Sequence, residues 1–146
     1  MLAPHTHPQI RLELGIWLSG EQPRGPRIAS ASIDTSDGLS TDLNHICELS
    51  GVGARIQEGL LPVTRIPSVF NKIGLSALEL ALHGGEDYQL LFTVPARAAG
   101  RVPGSYHGVK ITRIGEITRD RHVELIRRDG RSERLPPCGW DHFRKT

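Results

Sequence analysis

Asp34 and Asp37 stand three residues apart in the stretch Ala31 to Cys47, ASIDTSDGLSTDLNHIC, with Ser36 and Gly38 on either side of the second. The residues before them alternate as a strand does. Those after them place Leu39, Leu43, Ile46 and Cys47 at i, i+4, i+7 and i+8, the spacing of one helix face. Two carboxylates at a strand-to-helix turn can end the strand in a turn and complement the helix dipole. They can also hold a hard cation, since magnesium takes one or two protein carboxylates, keeps several waters and fills its other positions with phosphate oxygens. The backbone N–H groups of a helix start attract the same phosphates. With Ser36 as the N-cap, its hydroxyl accepts an orphan N–H, and Gly38 lets another group approach the main chain. Spacing alone leaves both readings open.

A second constellation is LHGGEDYQLLF, residues 82–92. Two glycines lead into Glu86 and Asp87, and an apolar strand follows directly, so the acids belong at the mouth of a sheet, where loops carry sites. A carboxylate there binds a cationic or hydrogen-bond-donating part of a ligand; alternatively Gly84 or Gly85 closes a helix and the acids are solvated. His83 offers an imidazole as a general base, although a histidine at a helix end also caps carbonyls. The tail CGWDHF sets Trp140 and Phe143 on an irregular terminus, as a plug over the core or as a platform for a flat ring.

The elements that position these residues follow from periodicity and turn chemistry. Helices are expected over Gln9 to Leu18, Leu39 to Ser50 and Ser76 to Leu82, with a brief one over Ala96 to Val102. Strands are expected over Ile28 to Ile33, Gly53 to Gln57, Tyr88 to Val94, Val109 to Ile117, His122 to Arg127 and Ser132 to Leu135. YQLLFTV is apolar enough to be a central strand, and Asp129-Gly130 supplies a hairpin turn. Short turns between the later strands favour an α+β domain, a layered α/β/α arrangement with a mixed sheet, over a doubly wound parallel one.

Composition sets the frame. The 146 residues suffice for one domain with a core, and 38% hydrophobic with 23% charged residues is ordinary for a globular protein. No apolar run is long enough for a membrane span, and the N-terminal stretch lacks the plain apolar core of a signal peptide, so a cytoplasmic protein without a membrane partner is expected. Cys47 and Cys138 belong to no CxxC pattern and are expected to be free thiols. The net charge of +2 is small, and the basic stretch RDRHVELIRRDGRSER mixes signs and interleaves no aromatic residues, so no nucleic-acid partner is expected.

Taken in order, IDTSDGL with its helix, SGVGARI, LHGGEDYQLLFTVP, ITRIGEI and the terminal GWDHF resemble the C-terminal domain of thiamine-monophosphate kinase, from about Pro8 to Phe143. The Ser-Asp-Gly-Leu turn is shared with a wider superfamily that includes aminoimidazole ribonucleotide synthetase, selenophosphate synthetase and a hydrogenase maturation factor. GGEDY with GWDHF is more specific to the kinase. The resemblance implies transfer of the γ-phosphoryl group of ATP to thiamine monophosphate, with magnesium, to give thiamine diphosphate. Carried over by motif, Asp34 and Asp37 look like magnesium ligands, Ser36 like an ATP contact, Glu86 like a contact to the thiamine moiety, and Trp140 like the residue packed against the substrate's rings. The acceptor the resemblance implies is already an ionised phosphate, which makes a dedicated base unnecessary and argues against that role for His83. The resemblance further implies that residues 1–146 form a single substrate-binding C-terminal domain. It implies that the N-terminal domain for ATP and magnesium is absent from this chain, that the complete enzyme is a dimer, and that the chain alone is inactive. The alternatives are a non-catalytic module that binds a thiamine compound or a partner protein, and another ATP-dependent synthetase of the superfamily.

Overall fold

A computed structural model of the chain describes residues 10–20, 25–64, 66–67 and 76–139. Helix α1, Leu12–Ser19, buries Leu14 and Leu18 and stops at Gly20, which takes a left-handed conformation. Strand β1, Ala31–Asp34, runs into the acidic turn, and α2, Leu39–Ser50, follows with Leu43, Ile46 and Cys47 buried on the face the periodicity predicts. Gly51, also left-handed, ends α2 by donating its N–H to the carbonyl of Cys47. Strand β2, Gly53–Gln57, leads through a single 3-10 turn, Glu58–Leu60, and α3, Ala77–His83, begins where the Ser76 hydroxyl accepts the N–H of Glu79. Next come β3, Leu90–Thr93, α4, Ala96–Ala99, and the strands β4, Ser105–Tyr106, β5, Val109–Lys110, β6, Gly115–Thr118, β7, Val123–Ile126, and β8, Ser132–Arg134.

The result is an α+β fold with a mixed sheet. Four strands lie in the order β6-β2-β7-β8, with β2 antiparallel to β6 and parallel to β7. β7 and β8 form the hairpin expected at Asp129-Gly130, where Gly130 has φ +86 and donates its N–H to the carbonyl of Arg127. β1 and β3 pair antiparallel from Ala31 opposite Thr93 to Asp34 opposite Leu90. Among the described residues no helix is long and apolar enough to cross a membrane.

Two apolar clusters hold these pieces together. The first joins α2 and α3 to the four-stranded sheet through Leu43, Cys47, Ala54, Ile56, Leu82, Val123 and Leu125. The second gathers Leu14, Leu18, Ile28 and Ala29 against Trp17, Phe92 and Tyr106. β3 explains its own composition here. Leu90 and Phe92 pack on the second cluster while Leu91 packs on the first, so both faces of the strand are apolar. It is not the central strand its sequence predicts: among the described residues it pairs with β1 alone, and β2 takes the central place. The single strand expected over Val109 to Ile117 is two, because Val109–Lys110 closes a hairpin on Ser105–Tyr106 and the chain joins β2 only at Gly115. A side chain at Gly115 would run into the carbonyl of Arg55.

Leu125 is 0% exposed at the centre of the first cluster. Truncating it in Leu125→Ala is expected to cost about 2–5 kcal/mol. Urea denaturation would show this as a lower midpoint at unchanged slope, and an unchanged midpoint would place the core elsewhere.

Candidate functional site

The pairing of β1 with β3 does not end at the last strand residues. Beyond Asp34, the N–H of Thr35 donates to the carbonyl of Gln89 at 2.8 Å, and the N–H of Gln89 donates to Thr35 Oγ1 at 3.1 Å. The N–H of Tyr88 donates to the carbonyl of Thr35 at 3.0 Å, and the N–H of Glu86 to the carbonyl of Ser36 at 2.9 Å. The acidic turn and the glycine loop therefore lie side by side along one seam. Glycines make the approach possible. A side chain on Gly38, at φ +104, would meet the carbonyl of His83 at 3.0 Å, and one on Gly85 would stand 2.5 Å from the carbonyl oxygen of Ser36. A side chain on Gly139 would strike the carbonyl of Asp37, so a third segment closes on the same turn. Glu86 and Tyr88 are held at φ +65 and +47, left-handed conformations that non-glycine residues adopt at a cost and that cluster at binding sites.

The seam brings Asp34, Ser36 and Asp37 together with the loop that carries Glu86. Asp34 and Glu86 are exposed, while Ser36 and Asp37 are half-buried. Trp140 lies outside the described residues; the segment before it is docked on α2, with the N–H of Gly139 donating to Thr41 Oγ1 at 2.9 Å. An open groove of about 320 Å³ beside the seam has Arg11, Leu12, Asp34, Tyr88 and Leu90 among its walls.

Ser36 is not the N-cap. Gly38 occupies that position, without a side-chain capping bond, and α2 begins at Leu39. The carbonyl of Ser36 is committed to the glycine loop, and the chain needs two further residues to swing into the helix. The N–H of Asp37 instead donates at 3.3 Å to Oδ2 of Asp42, a carboxylate only 1% exposed in the first turn of α2. Burial pushes the Asp42 carboxyl above the usual aspartate range. The Asp37 N–H works against that shift, while the negative charges of Asp37 and Asp34 add to it. Sequence reasoning missed Asp42, although a signal existed: it lies three residues after Leu39 and four before Ile46, on the apolar face.

Whether the turn suits magnesium depends on its donors. Among the described residues no group of three or more His, Cys, Asp or Glu side chains could hold a metal ion alone. Asp42 is buried and engaged with backbone, which leaves the two carboxylates of Asp34 and Asp37 at the rim. Two oxygen ligands with open positions fit magnesium shared with phosphate, and do not fit a closed structural metal site.

The family described as AIR synthase related protein, C-terminal domain, matches residues 22–128. The chain belongs to this family. Among its curated relatives, thiamine-monophosphate kinase of Salmonella typhimurium is 44% identical and that of Escherichia coli strain K12 is 40% identical, each over 145 residues. In both comparisons 98% of this chain aligns with 42% of the relative, so the chain spans less than half the length of these proteins. The structure of AaThiL complexed with AMPPCP and TMP superposes with a TM-score of 0.62 at 32% identity, covering 94% of this chain and 44% of that one.

Asp42 yields a signed expectation. Its raised carboxyl keeps a proton in the folded state at pH values where the unfolded chain has lost it, so stability falls as pH rises from about 4 through the raised value. Asp42→Asn keeps an oxygen for the Asp37 N–H and removes this loss. Urea titrations at a series of pH values without divalent cation should show the variant gaining on wild type as pH rises; parallel curves would refute the assignment.

Proposed function

We propose that this chain is the acceptor-binding C-terminal domain of a thiamine-monophosphate kinase, which transfers the γ-phosphoryl group of ATP to thiamine monophosphate. One observation carries the reading: the seam sets the turn of Asp34, Ser36 and Asp37 directly against the loop of Glu86. A metal-and-phosphate wall and a wall for the organic part of the acceptor are what such a transfer needs side by side. The similarity to thiamine-monophosphate kinases and to AaThiL complexed with AMPPCP and TMP supports the same assignment.

Phosphoryl transfer asks for alignment and for neutralisation of charge on phosphate oxygens rather than for covalent help. Asp34 and Asp37 would hold magnesium, which when bound supplies that neutralisation. The half-buried Ser36 hydroxyl is a donor at the same turn for a nucleotide oxygen. Glu86 presents an exposed carboxylate from a strained loop, suited to the cationic thiamine moiety, and Trp140 would supply an indole to pack against its heterocycles. No residue need act as a base, because the attacking oxygen belongs to an ionised phosphate. In this reading an N-terminal domain supplies the remaining nucleotide and magnesium contacts, the complete enzyme is a dimer, and it works in the cytoplasm.

The test is formation of thiamine diphosphate from thiamine monophosphate, ATP and magnesium by the full-length protein that carries this chain. Asp34→Asn or Asp37→Asn is expected to lower kcat by orders of magnitude and to recover partly at raised magnesium; wild-type turnover in either variant would remove them from the metal site.

Glu86→Gln and Trp140→Ala are expected to raise KM for thiamine monophosphate while that for ATP stays nearly constant. Equal rises in both constants would show that these residues hold the domain together instead of contacting the acceptor.

A further inference from the structure

One buried hydroxyl ties the acidic turn, the glycine loop and the C-terminal segment together. Ser40, in the first turn of α2, is 0% exposed. Its Oγ stands 2.8 Å from Nδ1 of His83, the last residue of α3, and accepts the N–H of Cys138 at 3.4 Å. Nε2 of the same imidazole lies 3.6 Å from Oε2 of Glu79, one turn earlier on α3. For a neutral imidazole one arrangement satisfies every partner. Nε2–H faces the Glu79 carboxylate, Nδ1 accepts the Ser40 proton, and the Ser40 oxygen keeps a lone pair for Cys138. Asn44 strengthens the junction, since its Nδ2 donates to the carbonyls of Ser40 at 2.7 Å and Leu135 at 3.0 Å.

A serine so enclosed is no nucleophile; it is a clip. The residues it joins lie at telling places. Ser40 follows the acidic turn by three residues, His83 immediately precedes Gly84-Gly85-Glu86, and Cys138 precedes Trp140 by two. We propose that His83 is a positioning residue of the acceptor site, which through Ser40 fixes the register in which the Glu86 loop and the C-terminal segment meet the turn. The inference rests on the phosphotransfer reading of that site and deepens it. The strand pairing of β1 with β3 holds Asp34 whether or not the clip is made, so loss of the clip acts on the acceptor wall and spares the metal wall.

Three variants of the full-length protein test this. His83→Leu and Ser40→Ala break the clip, whereas His83→Asn keeps an acceptor oxygen near the place of Nδ1. His83→Leu and Ser40→Ala are expected to raise KM for thiamine monophosphate on the order of tenfold and to leave KM for ATP within about twofold, and His83→Asn to stay near wild type. Hydrogen exchange reads the clip without substrate. The amides of Glu86, Cys138 and Gly139 should exchange faster in the two broken variants, those of β2 and β7 should not change, and asparagine should restore protection. Unchanged exchange at Glu86 and Cys138, a joint rise of both KM values, or an asparagine variant no better than leucine would each overturn the proposal. A wild-type enzyme that forms no thiamine diphosphate would overturn the kinase reading instead, and the exchange result would still decide whether His83 sets the register.

Discussion

The run of backbone hydrogen bonds that continues the β1–β3 pairing past its strand ends is the constraint on which the rest of the site depends. Thr35 and Ser36 on one side and Gln89, Tyr88 and Glu86 on the other exchange bonds through a stretch where neither chain is a regular strand. Buried main chain must find partners, and here two loops find them in each other. Contact at that distance excludes side chains, hence Gly38 and Gly85 at the points of closest approach. Glu86 and Tyr88 take left-handed backbone in this stretch, and their carboxylate and phenol are left exposed.

Beneath the seam, β3 gives the loops a firm base because it belongs to two cores at once. Leu91 is packed with α2 and the mixed sheet, Phe92 with α1 and Tyr106. A strand held on both faces cannot tilt without disturbing both clusters, so the glycine loop leaves it in a fixed direction. The same division shows why the candidate site residues sit at the rim. β3 packs on both clusters, while Asp34 at the end of β1 and Glu86 in the loop before β3 are exposed, where a ligand can reach them.

What the sequence disclosed and what it hid divide along physical lines. The apolar repeat of α2 and the Asp129-Gly130 hairpin are local patterns, and both are found where expected. YQLLFTV was apolar for a reason periodicity cannot separate from centrality, since two flanking cores bury both faces as surely as two neighbouring strands would. Ser36 lost the cap because the Glu86 amide, fifty residues on, claims its carbonyl. The Ser40–His83 bond links residues 43 apart, and no local rule reports it. The grouping of Asp34, Ser36 and Asp37 was legible from spacing, but their meeting with the Glu86 loop depends on a tertiary pairing, and their roles rest on resemblance to a family.

Asp42 resolves what would otherwise be a conflict at the turn. The turn that leads into α2 leaves backbone N–H groups in need of acceptors, and the residues best placed to provide them by type, Asp34 and Asp37, are also the ones whose charge a cation would use. The fold assigns the structural task to a third carboxylate. Asp42 takes the Asp37 N–H from within the helix, and among the described residues no hydrogen bond or ion pair occupies the side chains of Asp34 and Asp37. Three carboxylates then share one field, and their mutual repulsion is part of what holds the buried one above its ordinary range. Positive charge bound at the rim would relieve Asp34 and Asp37 directly and Asp42 at a distance, so a cation at this turn and the local stability of the first turn of α2 are thermodynamically linked. The repulsion that Asp34 and Asp37 exert on the buried Asp42 is thereby one that positive charge at the rim would relieve.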